Sequence, residues 1–178
     1  MAILSEFEDI DQLDELEEER NAPDIQSWQD TFSDLDELIY YHNDRAKEFF
    51  YFYTLEKTKL VTYGELLDYQ PEDMRQTLEP LVDKSQTIES TFSLYCYQYD
   101  KNNIATSCKC RINFVLKVKE TKFNGNGNLE FLKYQRSSYC NAHSHNLYKK
   151  DFEPRYNLLK FLEDDLSNFG SNNNQPKS

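Results

Sequence analysis

Glycine is scarce in this chain. Only four occur in 178 residues, at Gly64, Gly125, Gly127 and Gly170, so no glycine-rich turn opening a helix is available to cradle a phosphate or a dinucleotide. The common classes of nucleotide-dependent enzyme are excluded on that ground. Histidine is limited to three, and none stands in the His-Glu-x-x-His spacing that brings two imidazoles and a general base to a catalytic zinc. The sequence also lacks any run of about 18 apolar residues, the length a membrane-crossing helix needs. Residues 1–8 have neither the basic nor the apolar region of a secretion signal, and the chain reads as soluble and intracellular. In a reducing compartment Cys96, Cys108, Cys110 and Cys140 are better read as thiols or metal ligands than as two disulfides.

Acid and aromatic rings are what the chain has in plenty. There are 32 Asp and Glu against 20 Lys and Arg, a formal charge of -12, while 13 Tyr and 12 Phe lift the aromatic share to 15% within an apolar total of only 38%. A small core built largely from rings follows. Such a total charge argues against nucleic acid, but it is unevenly spread. Residues 1–100 hold 7 basic and 25 acidic side chains, whereas residues 101–160 hold 12 basic and 4 acidic. The basic block carries Lys109, Arg111, Lys117, Lys119, Lys122, Lys133, Arg136, Lys149, Lys150 and Arg155, the electrostatic footprint of a nucleic-acid module.

Periodicity supplies the elements. Residues 1–30, in which acids are broken only by scattered hydrophobes, read as a disordered acidic arm able to meet a protein partner. Ser33 can cap a helix over 34–48, with Leu35, Leu38, Ile39, His42 and Ala46 at helical spacing. The aromatic run 49–54 predicts a strand. Residues 61–90 look like an insertion, with a helix opened by Pro71 and interrupted at Pro80. Strands are expected over 91–99, 109–120 and 129–136, the last two joined by the turn Asn124-Gly125-Asn126-Gly127-Asn128. Pro154 opens a final amphipathic helix, and 169–178 is a polar disordered tail. The domain is then residues 31–168.

The densest chemistry lies in Cys96, Cys108, His143 and His145. Two thiolates and two neutral imidazoles satisfy both the charge and the tetrahedral geometry of zinc. His143 and His145, at i and i+2 on an extended strand, would project from one face and converge on one ion. Cys110, two residues beyond Cys108, and Cys140, three residues before His143, are alternatives for the second cysteine. Four protein ligands leave no open position for a substrate, so the site reads as structural and the protein as no enzyme.

The order Cys96, then Cys108-Lys109-Cys110-Arg111-Ile112, then His143-Ser144-His145-Asn146-Leu147 resembles the zinc-binding DNA-binding domains of the WRKY and glial-cells-missing superfamily. It is most similar to the far-red-impaired-response group and the N-termini of mutator-like transposases. The iron-responsive transcription activators of yeasts are the second resemblance. The likeness covers roughly residues 32–150, with Cys110 where the family usually has Ala. It implies an α+β fold, a small antiparallel sheet of about four strands with a zinc site of two cysteines and two histidines, flanked by an N-terminal and a C-terminal helix. It further implies a zinc-dependent, sequence-specific binder of double-stranded DNA, a transcription regulator of the nucleus. The first strand, residues 49–59, would enter the major groove, with Tyr51, Tyr53, Lys57 and Lys59 as base contacts. Lys109, Arg111, Lys117, Lys119, Lys133, Arg136, Lys149 and Lys150 would grip phosphates. The alternative is a zinc-stabilised protein-interaction module that kept the scaffold and lost the DNA face.

Overall fold

The first helix starts one residue later than its sequence signal. Asp34, extended at φ -146, accepts the N–H of Glu37 at 3.0 Å, so Asp34 rather than Ser33 is the cap and α1 runs Leu35–Ala46. Its buried residues Leu38, His42 and Ala46 recur every four positions and form the stripe laid on the sheet. The helix ends in a 3-10 turn, Lys47–Phe49, and Phe50 then takes the left-handed conformation at φ 62. That residue reverses the chain, so the strand expected from residue 49 begins at Tyr53 instead. Phe50 is held there between Phe152, at 6.0 Å, and the Arg20 guanidinium, 4.5 Å from the ring centre.

The computed structural model describes residues 18–173; residues 1–17 of the expected acidic arm and 174–178 of the expected tail lie outside the described residues, and 169–173 of that tail continue the final helix. The other elements are β1 (Glu19–Arg20), β2 (Thr31–Phe32), β3 (Tyr53–Thr62), α2 (Tyr63–Leu67), α3 (Glu72–Leu78), β4 (Thr87–Cys96), β5 (Arg111–Leu116), β6 (Lys122–Phe123), β7 (Leu129–Phe131), β8 (Tyr134–Cys140), β9 (Leu147–Tyr148) and α4 (Lys149–Asn173). The fold is α+β, as the sequence suggests. Its main sheet is antiparallel in the order β2-β8-β5-β4-β3, four longer strands with the two-residue β2 added at one edge. The opposite edge is β3, whose pairing with β4 shifts register on both sides of Lys59.

Alternation sorts the sheet into a dry and a wet face. Phe92 and Leu94 of β4, Ile112, Phe114 and Leu116 of β5, and Tyr134 of β8 are buried in the core, where Phe114 meets His42 of α1 with ring centres 5.3 Å apart. On the other face Ser93, Asn113 and Ser138 form a hydrogen-bonded row across three strands. The turn 124–128 does not join the two long strands. It closes the separate ribbon β6-β7, because β5 stops at Leu116 and the predicted strand 129–136 is split between β7 and β8.

The segment 61–90 is partly docked. It begins as the end of β3, carries α2 and α3, and returns as the start of β4; Leu66, Leu67, Leu78 and Val82 are buried in the core. Thr62 caps α2 by accepting the N–H of Glu65 at 3.1 Å. α3 stops at Leu78, two residues before Pro80. Gly127, at φ +83, fits closely over Leu81. The final helix begins at Lys149, five residues before Pro154, so Pro154 lies inside the helix instead of opening it and removes the bond that the Lys150 carbonyl would otherwise accept.

Within the expected acidic arm, residues 18–30 are part of the body. β1 pairs with β9, Ile25 is fully buried, and β2 continues directly onto the sheet. Composition hid this: acids and polar groups dominate residues 18–32, but the large apolar side chains Ile25, Trp28 and Phe32 all pack in or against the core.

Candidate metal centre

Cys96 is the last residue of β4, on the dry face where the sheet runs out. The next eleven residues leave and return as a closed excursion: Tyr99 N–H donates to the Cys96 carbonyl at 2.8 Å, and Cys108 N–H donates to the Gln98 carbonyl at 3.2 Å. Ser107 Oγ accepts the N–H of Asp100 at 2.7 Å inside that loop. Cys108 is thereby returned beside Cys96. Cys110 follows across from Cys96, whose N–H donates to the Cys110 carbonyl at 3.0 Å.

His143 and His145 lie between β8 and β9, on a loop and not on the extended strand that their spacing suggests. The segment 18–32 fixes that loop from both sides. Glu19 and Arg20 pair with Tyr148 and Leu147, Asn141 Nδ2 donates to the Pro23 carbonyl, and the two terminal nitrogens of Arg136 donate to the carbonyls of Ile25 at 2.9 Å and Gln26 at 3.2 Å.

The donor atoms of Cys96, Cys108, His143 and His145 all lie within 4.8 Å of one another. Cys96 Sγ is 3.3 Å from His145 Nε2, and Cys108 Sγ is 3.5 Å from His143 Nδ1. A zinc tetrahedron with Zn–S of about 2.3 Å and Zn–N of about 2.0 Å has sulfur–nitrogen edges of about 3.5 Å, so the set fits an ion of that size. His145 Nδ1–H donates to the Asn146 carbonyl at 2.9 Å, which fixes the tautomer and turns the Nε2 lone pair toward Cys96. Cys110 and Cys140 are not members of the cluster.

Electrostatics agree with the geometry. Burial pushes the Cys96 thiol up, while Cys108 is pulled down to about 2 by the hydrogen bond from the Cys96 thiol and by the two imidazoles. Burial opposes protonation of His145, but the Cys108 sulfur and the Asn146 carbonyl outweigh it and raise the ring. Both cysteines are essentially unexposed. A cation entering here replaces bound protons and removes the repulsion that two buried thiolates would otherwise suffer.

Tyr51 and Tyr53 are corrected by their positions. Both are buried, their hydroxyls are 2.9 Å apart, and Tyr51 packs edge-on against His143 with ring centres 4.6 Å apart. They support the centre from beneath and cannot meet a base edge. Burial raises both phenols. Tyr97, stacked on Phe52 at 4.8 Å and edge-on to His145 at 6.0 Å, has the same role on the other side. The supporting roles of Tyr51 and Tyr97 are what sequence reasoning missed; their only signal was their closeness to the corner residue Phe50 and to Cys96.

The expected base and phosphate contacts among the cations divide into two groups. Arg136 is spent on the carbonyls of residues 25 and 26, Lys149 is 3.7 Å from both Glu18 and Glu153, and Lys133 is 3.3 Å from Glu120. Lys59 on the free edge β3, Lys109 beside Cys108, Lys119 and Lys150 are exposed; Arg111 and Lys117 are half-buried. Lys57 lies in β3 beside the bulge. The basic block is thus spread over several elements, and part of it is engaged within the chain.

Among the described residues no helix is long and apolar enough to cross a membrane. No family model matches the chain, and no curated protein and no solved structure matches it.

Proposed function

We propose that the chain is a zinc-dependent, sequence-specific binder of double-stranded DNA acting as a transcription regulator in the nucleus. The observation that carries this reading is the convergence of Cys96, Cys108, His143 and His145, four residues whose order and flanking residues resemble those of the WRKY and glial-cells-missing superfamily. Bound zinc would neutralise two thiolates and tie the end of β4, the 97–107 loop and the histidine loop together, with no position left for a substrate. The reading element would be β3, an exposed sheet edge whose bulge lies beside Lys57 and Lys59.

Selection of binding sites from random duplex DNA, with zinc and after chelation, tests this reading. Enriched sites that vanish on chelation are expected. With Lys109, Lys119 and Lys150 as the exposed phosphate contacts, log affinity should fall with log salt with a slope of about -3. No enrichment together with no salt dependence would contradict it.

The second reading is a zinc-stabilised protein-interaction module. It is favoured by the internal engagement of Arg136, Lys149 and Lys133, which leaves fewer cations for phosphate than the sequence offers. Removing residues 1–17 separates the two, since residues 18–32 are needed for the fold. A DNA-binding regulator shielded by its acidic arm should bind duplex more tightly without it, and a protein module should not.

A further inference from the structure

The β3–β4 hairpin carries the metal centre at one end and a very different surface at the other. Tyr53 pairs with Cys96 at the metal end, and Thr62 pairs with Thr87 at the far end, roughly 30 Å away at about 3.3 Å per residue. Between those last two residues lie α2 and α3. The segment 61–90 holds seven carboxylates and two cations, and one of the cations, Lys84, is paired with Glu79. Glu65, Asp68, Glu72 and Asp73 are exposed, and none of them is in an ion pair among the described residues.

Apolar groups stand among these acids. Tyr69 is 49% exposed, Met74 40% and Leu81 50%. Beside Met74 a groove of about 320 Å³ runs between α3 and the β6-β7 ribbon, floored by Leu78 and Phe123 and rimmed by Asp73, Thr77 and the 124–125 backbone. The buried half of the segment, Leu66, Leu67 and Val82, accounts for its docking to the core. Of its exposed acids, Glu72 and Asp73 stand in the first turn of α3, where carboxylates are favourable.

We propose that this surface docks a lysine- or arginine-rich segment of a partner protein, which seats an apolar side chain in the groove between Met74, Leu78 and Phe123. Charge complementarity selects the partner: Asp73 on the rim of the apolar slot, with Glu65, Asp68 and Glu72 exposed on the same segment, favours a basic amphipathic segment and disfavours an acidic one or a nucleic-acid backbone. The groove supplies what charge alone does not, a place for one buried anchor. The inference stands apart from the DNA-binding reading, because it uses neither the metal centre nor the basic residues.

Fluorescence anisotropy with a labelled amphipathic peptide, lysine on one face and leucine on the other, tests it on the full zinc-loaded chain. E72K/D73K should weaken binding about tenfold or more, whereas E163K/D164K, the same charge change on exposed α4, should leave it within about twofold. Met74→Ser should also weaken binding several-fold while far-ultraviolet circular dichroism and zinc content stay unchanged. Equal losses from the two charge pairs would reduce the effect to net charge and overturn the proposal. So would an unaffected Met74→Ser variant or a wild-type chain that does not bind the peptide.

Discussion

Lowering the pH should destabilise this protein through His42, which is not a member of the cysteine–histidine cluster. The ring is fully buried on the inner face of α1, among Trp28, Phe32, Tyr41, Tyr53 and Phe114, at centroid distances of 5.2 to 6.2 Å. Its Nδ1 is 2.7 Å from the Leu38 carbonyl, and its buried Nε2 has no hydrogen-bond partner. Burial dominates and lowers it from 6.5 to about 4, with Arg136 and Arg45 adding to the effect. Between those values the unfolded chain takes up a proton that the native chain refuses, so stability falls as pH drops from 6.5 to 4 and the loss levels off below 4. At about 1.4 kcal/mol per unit, His42 withdraws on the order of 3 kcal/mol across that window. Urea midpoints measured from pH 7 to pH 4 for the wild type and for His42→Phe isolate this contribution, because every other ionisable group is common to both. Phenylalanine suits a cage of rings, and the variant should lose about 3 kcal/mol less than the wild type on acidification. Parallel pH profiles for the two proteins would refute the reasoning.

Further outcomes follow from the packing. Ile25→Ala, at a fully buried position of the segment 18–32, should cost roughly 2–5 kcal/mol in equilibrium unfolding, whereas removal of residues 1–17 should leave the urea midpoint unchanged. Gly127→Ala places a Cβ 2.7 Å from the Leu81 carbonyl oxygen at a backbone φ of +83; a loss of about 1–3 kcal/mol is expected in the same assay. Cys96→Ser and Cys108→Ser should abolish tight metal retention, while Cys110→Ser and Cys140→Ser keep it, as measured by metal content after dialysis. Loss of metal from the Cys110 variant alone would reverse the ligand assignment.

The metal centre was the most legible part of the sequence. Cysteine and histidine are few, and their chemistry limits what four of them can do together, so residue type and spacing narrowed the candidates, but they left Cys110 and Cys140 open beside Cys108, and it is the fold that brings Cys96, Cys108, His143 and His145 together. Secondary-structure type was legible where periodicity was strong, as in α1 and β5. Boundaries were not: one left-handed residue, Phe50, moves the start of β3 to Tyr53, and no local pattern announces it. Tyr51 and Tyr53 looked like readers because a phenol combines a ring with a polar end, and only the topology shows both ends used internally. Residues 18–30 were hidden by composition, since acids mask the few apolar positions that pack. Pro23, Ile25, Trp28 and the pair Thr31-Phe32 were the available signal, and pairing with β9 and β8 is a long-range fact that composition cannot carry.

The central claim is that Cys96, Cys108, His143 and His145 hold one structural zinc ion. Elemental analysis of the purified chain before and after chelation, followed by thermal unfolding of both forms, tests it most directly. One zinc per chain is expected, lost together with cooperative unfolding when the ion is removed and restored when zinc is returned. A chain that carries no metal, or that unfolds identically with and without it, would contradict the account.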